Sequence, residues 1–201
     1  MKKSTTWVLL LLLAACSPIK IPNSNEYKLE AYSDKQLTAH PSKLSILVAT
    51  PEAVAGYQNE DMLYVKKPFE LSSFANNAWM DPPAAMLLPL IAQSLQRSGY
   101  FYAVTSSTHS ESTDYRVDTQ LIKLQQNFLT KPSHVDLVVK VVLSNVNDNR
   151  VVASRLISQQ VKCPTDTPYG GVTAANIAAK NFTAEATAFV VSQVKLDSSH
   201  N

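Results

Sequence analysis

The chain has 201 residues, 45% of them hydrophobic and 17% charged, with a formal net charge of +2. Lys2 and Lys3 account for two of the 18 basic residues, so the rest of the chain balances 16 basic against 16 acidic side chains. A neutral chain lacks the basic footprint that nucleic acid requires and has no electrostatic drive onto an anionic bilayer.

The N-terminal run is uncharged from Ser4 and fully apolar from Trp7 to Ala15. A helix that spans the hydrocarbon core needs ~20 apolar residues, about twice this length. With two lysines before it and small residues closing it, the run reads as a secretory signal. Leu13-Ala14-Ala15-Cys16 resembles the bacterial lipoprotein box. That resemblance implies a diacylglyceryl thioether on Cys16, cleavage before it and acylation of the new amino group, with palmitate a typical chain. Two or three acyl chains at ~0.8 kcal/mol per buried methylene hold a protein on a bilayer far longer than one chain would. Ser17 follows, where enterobacterial lipoproteins carry a sorting residue; serine there implies transfer to the outer membrane, facing the periplasm.

Once Cys16 is used by lipid, Cys163 has no partner for an internal disulfide. It is an intermolecular staple, a reactive thiol or, more commonly, a buried small hydrophobe. The four glycines, Gly56, Gly99, Gly170 and Gly171, form no phosphate-cradling loop.

Residues 17–41 are polar and without period, which predicts a flexible tether. Leu44, Ile46 and Val48 alternate along a strand that Pro51 stops, and a second strand is expected over Met62–Lys66, closed by Pro68. Asp81-Pro82-Pro83 predicts a capped helix start, and Met86, Leu87, Leu90, Ile91 and Leu95 follow at helical spacing up to Gly99. Pro89 is expected to kink this helix. A short strand is expected at Tyr100–Val104. Long strands follow at Asp114–Phe128, with a bulge near Ile122 and Leu124, at His134–Leu143 and at Val151–Val161. Their short links, including Asn145-Val-Asn-Asp-Asn149, make these three an antiparallel meander. After a loop over Pro164–Gly171, a last helix is expected from about Thr173, with Ala175, Ala179, Phe182, Ala186, Phe189 and Val190 on one side.

The order predicts an α+β domain: a mostly antiparallel sheet with two helices packed on one face. The chain divides into a signal peptide (1–15), a lipidated N-terminus and tether (16–42), one α+β domain (43–196) and a polar tail (197–201).

Chemistry is sparse. His40, His109, His134 and His200 are scattered, outside any nucleophile motif. His134 and Asp136 share a strand face, which leaves a periplasmic hydrolase as a weak alternative to a solvent-facing pair. Metal-ligand spacing and cofactor motifs are absent, so neither a metal nor a cofactor is expected.

Large residues surround the first helix. Tyr27-Lys28-Leu29, Val48-Ala49-Thr50-Pro51, Met62-Leu63-Tyr64, Trp79 with Pro82 and Pro83, Gly99 with Phe101, and Asp114-Tyr115 occur in an order that resembles the ABC-type transport auxiliary lipoproteins, also called PqiC-like. The resemblance implies a non-catalytic protein that accompanies an inner-membrane ABC permease and ATPase. It also implies a mammalian-cell-entry (MCE) domain protein as partner, in a system that moves lipids or other hydrophobic molecules. A homo-oligomer would suit docking to a symmetric MCE assembly. Tyr64, Phe74 and Trp79 are the candidate partner surface, although Trp79 reads more readily as a core residue where the first helix meets the sheet. A structural or assembly lipoprotein of the envelope is the alternative.

Overall fold

The computed structural model describes residues 24–106 and 113–199. The sheet is organised by one long strand, β7 (Tyr115–Asn127), whose inward positions are buried and mostly apolar, Thr119 and Gln126 apart. Along one edge β7 pairs antiparallel with β8 (His134–Asn145), and β8 pairs with β9 (Arg150–Lys162). This is the expected meander, and the connections of residues 128–133 and 146–149 are too short for anything else.

The other edge of β7 takes three short strands in turn, all parallel to it. These are β2 (Ser45–Val48), with Ile46 opposite Tyr115, β3 (Glu52–Ala53), with Glu52 opposite Gln120, and β4 (Asp61–Lys67), with Tyr64 opposite Gln126. Outside β2 lies β6 (Ala103–Thr105), parallel to it. Outside β4 lies β5 (Glu70–Trp79), its antiparallel hairpin partner, and β5 takes β1 (Asn25–Tyr27) in parallel on its far edge. The α+β class stands, but the sheet expected to be mostly antiparallel is mixed, with parallel pairings joining β1, β2, β3, β4 and β6 to their neighbours. Helix α1 (Pro83–Arg97) lies between the β4–β5 hairpin and β6, and the chain returns through it to set β6 parallel beside β2.

The bulge expected in β7 is present: the register against β8 shifts between Leu121 and Lys123. Ile122 is the extra residue, so the inward set passes from Tyr115, Val117, Thr119 and Leu121 to Leu124 and Gln126. Facing it are Val135, Leu137, Val139, Val141 and Leu143 of β8, each 2% exposed or less. Helix α2 (Pro168–Ser198) packs over these with Ala174, Ala178, Ala179 and Phe182, whose small side chains, the phenylalanine apart, allow a close approach. Burial of a side chain such as Phe182 stabilises the fold by roughly 1.5–3 kcal/mol. The two helices touch through Ser94, whose hydroxyl is 2.8 Å from that of Thr187.

Several boundaries differ from expectation. Helix α2 begins at Pro168 rather than near Thr173, because Thr167 caps it by accepting from the Gly170 N–H at 3.1 Å. Asp81 makes no cap for α1; Pro82 occupies that position and Pro83 starts the helix. Pro89 lies inside α1, and both it and Ala85, whose carbonyl loses its usual helical donor there, are on the exposed side. Gly99 ends the helix as expected, at φ +71°, and a Cβ there would stand 2.8 Å from the Thr38 carbonyl.

The described part of the expected tether is packed rather than free. Leu29 is buried, the Glu30 and Ala31 N–H groups donate to Asn176 Oδ1, and the Ser33 N–H donates to Thr183 Oγ1 at 2.9 Å. Further on, the Leu37 N–H donates to the Ser98 carbonyl at 2.9 Å. Side chains of α2 and the end of α1 thus satisfy the segment's backbone and hold it to the domain. Of the expected polar tail, Asp197 and Ser198 belong to α2, and the Asp197 side chain is 7% exposed.

Candidate functional site

The β4–β5 hairpin carries an aromatic group on the sheet face that the helices share. Tyr64 lies opposite Gln126, an inward residue, and Ser72 lies opposite Tyr64, so Phe74 projects to the same side. The Tyr64 and Phe74 rings stand 4.5 Å apart at 39°. Phe128, just past the end of β7, meets both edge-on, at 6.0 and 6.3 Å. Lys66, at a register shift between Val65 and Lys67, holds its ammonium 4.9 Å from the Tyr64 ring centre and 5.6 Å from that of Phe128. All three rings are only partly buried. A partly buried aromatic set is a candidate partner contact, because interfaces are enriched in Tyr, Trp and Phe.

Trp79 does not belong to that group. It is 5% exposed, at the far end of β5, where its backbone N–H donates to the Glu60 carbonyl at 2.7 Å. Between it and Phe74 lies a crevice of about 10 Å³, lined also by Met62, Gly171 and Ala175, with room for about one water. Tyr64 and Phe74 are therefore brought together, and Trp79 sits in the core. Sequence reasoning misses Phe128 and Lys66. Neither carries a sequence signal: Lys66 sits at a register shift of the hairpin, and Phe128 has only its place at a strand end.

Gln126 joins this region to the start of α2. Its amide nitrogen donates to Ser133 Oγ at 3.0 Å, to the Thr167 carbonyl at 3.2 Å and to Cys163 Sγ at 3.6 Å. Gly171 makes space for it: a Cβ there would lie 2.4 Å from Gln126 Oε1. Cys163 is 4% exposed, and burial pushes its thiol pKa up. Of the readings open for it, the structure supports the buried one.

His134 and Asp136 share a face, with Nε2 3.4 Å from Asp136 Oδ1, but they do not point freely into solvent. Their side chains are 11% and 17% exposed. Gln160 and Asn127 donate to the two oxygens of Asp136, and Thr130 Oγ1 stands 3.1 Å from His134 Nδ1. The carboxylate is thus held by amides on the neighbouring strands, as part of the ladder surface. Among the described residues no cluster of histidine, cysteine and acidic side chains is placed to hold a metal, and no helix is long and apolar enough to cross a membrane. Cys16 and Ser17 lie outside the described residues.

The fold is that of known structures. Protein XCC0632 from Xanthomonas campestris, of family DUF330, matches with a TM-score of 0.78 at 20% identity, over 87% of this chain and 99% of that one. The hypothetical protein CT253 from Chlamydia trachomatis matches with a TM-score of 0.54 at 9% identity, over 76% of this chain and 98% of its own. At these identities the likeness concerns the fold. No curated protein sequence matches. The family model described as the ABC-type transport auxiliary lipoprotein component matches residues 27–186, from the start of the packed N-terminal segment to the middle of α2. The chain belongs to the ABC-type transport auxiliary lipoprotein family.

Proposed function

We propose that the protein is held by an acylated Cys16 on the periplasmic face of the outer membrane, where Ser17 directs it, and docks an MCE-domain protein there. The MCE protein connects it to an inner-membrane ABC permease and ATPase, in a system that moves lipids or other hydrophobic molecules. The observation that carries this reading is the family match across nearly the whole folded domain. The leader sequence supplies the anchor, and Tyr64, Phe74, Phe128 and Lys66 supply a surface suited to a protein partner. The protein acts by binding rather than by catalysis, and the energy for transport comes from ATP hydrolysed on the ATPase. A ring of identical copies would match a symmetric MCE assembly.

The test is crosslinking in cells of the natively processed protein, followed by affinity purification and mass spectrometry. Recovery of an MCE-domain protein, with permease and ATPase subunits in lower amount, is the expected result. Recovery of peptidoglycan or unrelated outer-membrane proteins in their place would point to a structural lipoprotein of the envelope.

A further inference from the structure

The hairpin that carries the aromatic group ends in an unusual turn. Pro68 and Phe69 alone connect β4 to β5, with Lys67 opposite Glu70. Phe69 has φ +66° and a fully exposed side chain, 107% by relative area. Proline followed by a residue at positive φ is the pattern of a type II turn, whose second central position favours glycine. A phenylalanine at that position runs against local preference and gains no intramolecular burial in return. Leu71, on the opposite face from Tyr64, is 44% exposed. The β7–β8 connection emerges at the same end of the sheet, because Val65 and Asn127 are in parallel register, and it adds Leu129, 47% exposed. This end therefore presents three large apolar side chains to the surroundings. Lys67 and Lys131 stand near them in the chain, with Glu70 paired to Lys67 and Asp166 bonded to the Ser133 N–H.

Strand β1 says what faces this end. It runs parallel to β5, with Asn25 opposite Asn77 and Tyr27 opposite Trp79, so the start of β1 points back along β5 toward Glu70 and the hairpin turn. From Asn77 to Glu70 is about 24 Å at the rise of a strand. The chain from Cys16 to Asn25 reaches at most about 30 Å. The residue that bears the lipid and the tip of the hairpin are thus within reach of the same plane, at the end toward which β1 begins.

We infer that the β4–β5 hairpin tip, led by Phe69 and supported by Leu71 and Leu129, inserts into the interfacial region of the leaflet that holds the acylated Cys16. The inference rests on the proposed lipidation of Cys16. Acyl chains supply the attachment, and the tip sets the orientation, so the near-neutral charge of the chain is no obstacle. An aromatic ring at headgroup depth, with lysines beside it, is the arrangement such an interface favours. The occupant of this surface is lipid rather than protein, and the aromatic group nearer the base of the hairpin remains free for a partner.

The test uses the full-length, natively processed protein in phosphatidylethanolamine–phosphatidylglycerol vesicles with bromine placed high on the acyl chains. Removal of the leader takes away Trp7, leaving buried Trp79 as an internal reference. In Phe69→Trp the new emission is expected to shift to the blue on vesicle binding and to be quenched by the brominated lipid; Trp79 in the parent protein is expected to be unaffected. Leu129→Trp, on a separate loop, provides a second probe. Flotation with the vesicles and the mass of the N-terminal peptide are read on the same samples. An acylated, floating protein in which the indoles introduced at both positions give solvent-like, unquenched emission would overturn the insertion alone. A blue shift without quenching would place the tip against protein, such as a second copy, and would equally overturn it. An N-terminal peptide without acyl mass would remove the anchor, and the insertion with it.

Discussion

Tyr115 Oη donates to Asp197 Oδ2 at 2.9 Å, joining the first residue of β7 to the last turn of α2. Asn145 at the end of β8 donates to the same oxygen at 3.0 Å, and Arg150 at the start of β9 reaches Oδ1 at 2.8 Å. One carboxylate thus gathers three strands and a helix at the end of the sheet far from the β4–β5 turn. Asp197→Ala leaves the Tyr115 and Asn145 donors without their acceptor and is expected to cost about 1–3 kcal/mol, read by urea unfolding.

The same carboxylate carries a pH dependence. Burial works against its charge, but the bonds from Arg150, Asn145 and Tyr115 prevail and hold its pKa below the usual carboxylate range. A depressed folded-state pKa means that the stabilisation is complete above the unfolded value of about 3.9 and is lost as pH falls through the folded value. The stability gap between the parent protein and Asp197→Ala should therefore be full at neutral pH and narrow progressively below about pH 4. A gap that stays constant into acid would contradict this.

Gly171→Ala should destabilise by about 1–3 kcal/mol, since the added methyl meets a Gln126 side chain that is buried and held by three donor contacts. Because the clash is with that side chain, the double variant Gly171→Ala/Gln126→Ala should lose less stability than the sum of the two single variants. Simple additivity in urea titrations would show that the two positions do not meet.

Cys163 is expected to resist alkylation in the folded protein, because its thiol is buried and its pKa raised, mainly by desolvation. Iodoacetamide should label it at the rate at which the domain opens, rapidly in urea and slowly without it. Fast native labelling, or recovery of a Cys163-linked dimer, would overturn the buried assignment.

Trp79 and Phe74 should separate stability from binding. Trp79→Ala empties a core position and is expected to cost about 3–5 kcal/mol. Phe74→Ser acts on a half-exposed ring and should cost less, while reducing recovery of the MCE partner from crosslinked cells. His134→Ala should leave envelope function at parental level, and loss of that function with a normally folded variant would revive the hydrolase reading.

Much of the fold was legible where burial imposes a period. The β7–β8–β9 meander, the bulge at Ile122 and the apolar stripe of α1 all follow from alternation or helical spacing against one buried face. Strand β5 was not legible: Glu-Leu-Ser-Ser-Phe-Ala-Asn-Asn-Ala-Trp has little apolar alternation, because most of its length is half covered or exposed. The parallel pairings were hidden for a related reason. Segments of two to four residues, such as β2 and β3, carry no record of which strand they join. Residues 24–42 read as a tether because polar backbone satisfied by Asn176 and Thr183, about 150 positions away, looks the same in sequence as backbone satisfied by water. Within the site, Tyr64 and Phe74 were identified as large residues near the first helix, but their meeting depends on the hairpin register, which Pro68 and Phe69 set.

Docking of an MCE-domain partner through the β4–β5 hairpin can be read by site-specific photo-crosslinking in living cells. A photoreactive amino acid would replace Phe74, and in a parallel strain Leu156, an exposed residue of β9. The expected result is an adduct with an MCE-domain protein from position 74 and none from position 156. Adducts of that protein from neither position, with both variants folded and in the membrane fraction, would contradict it.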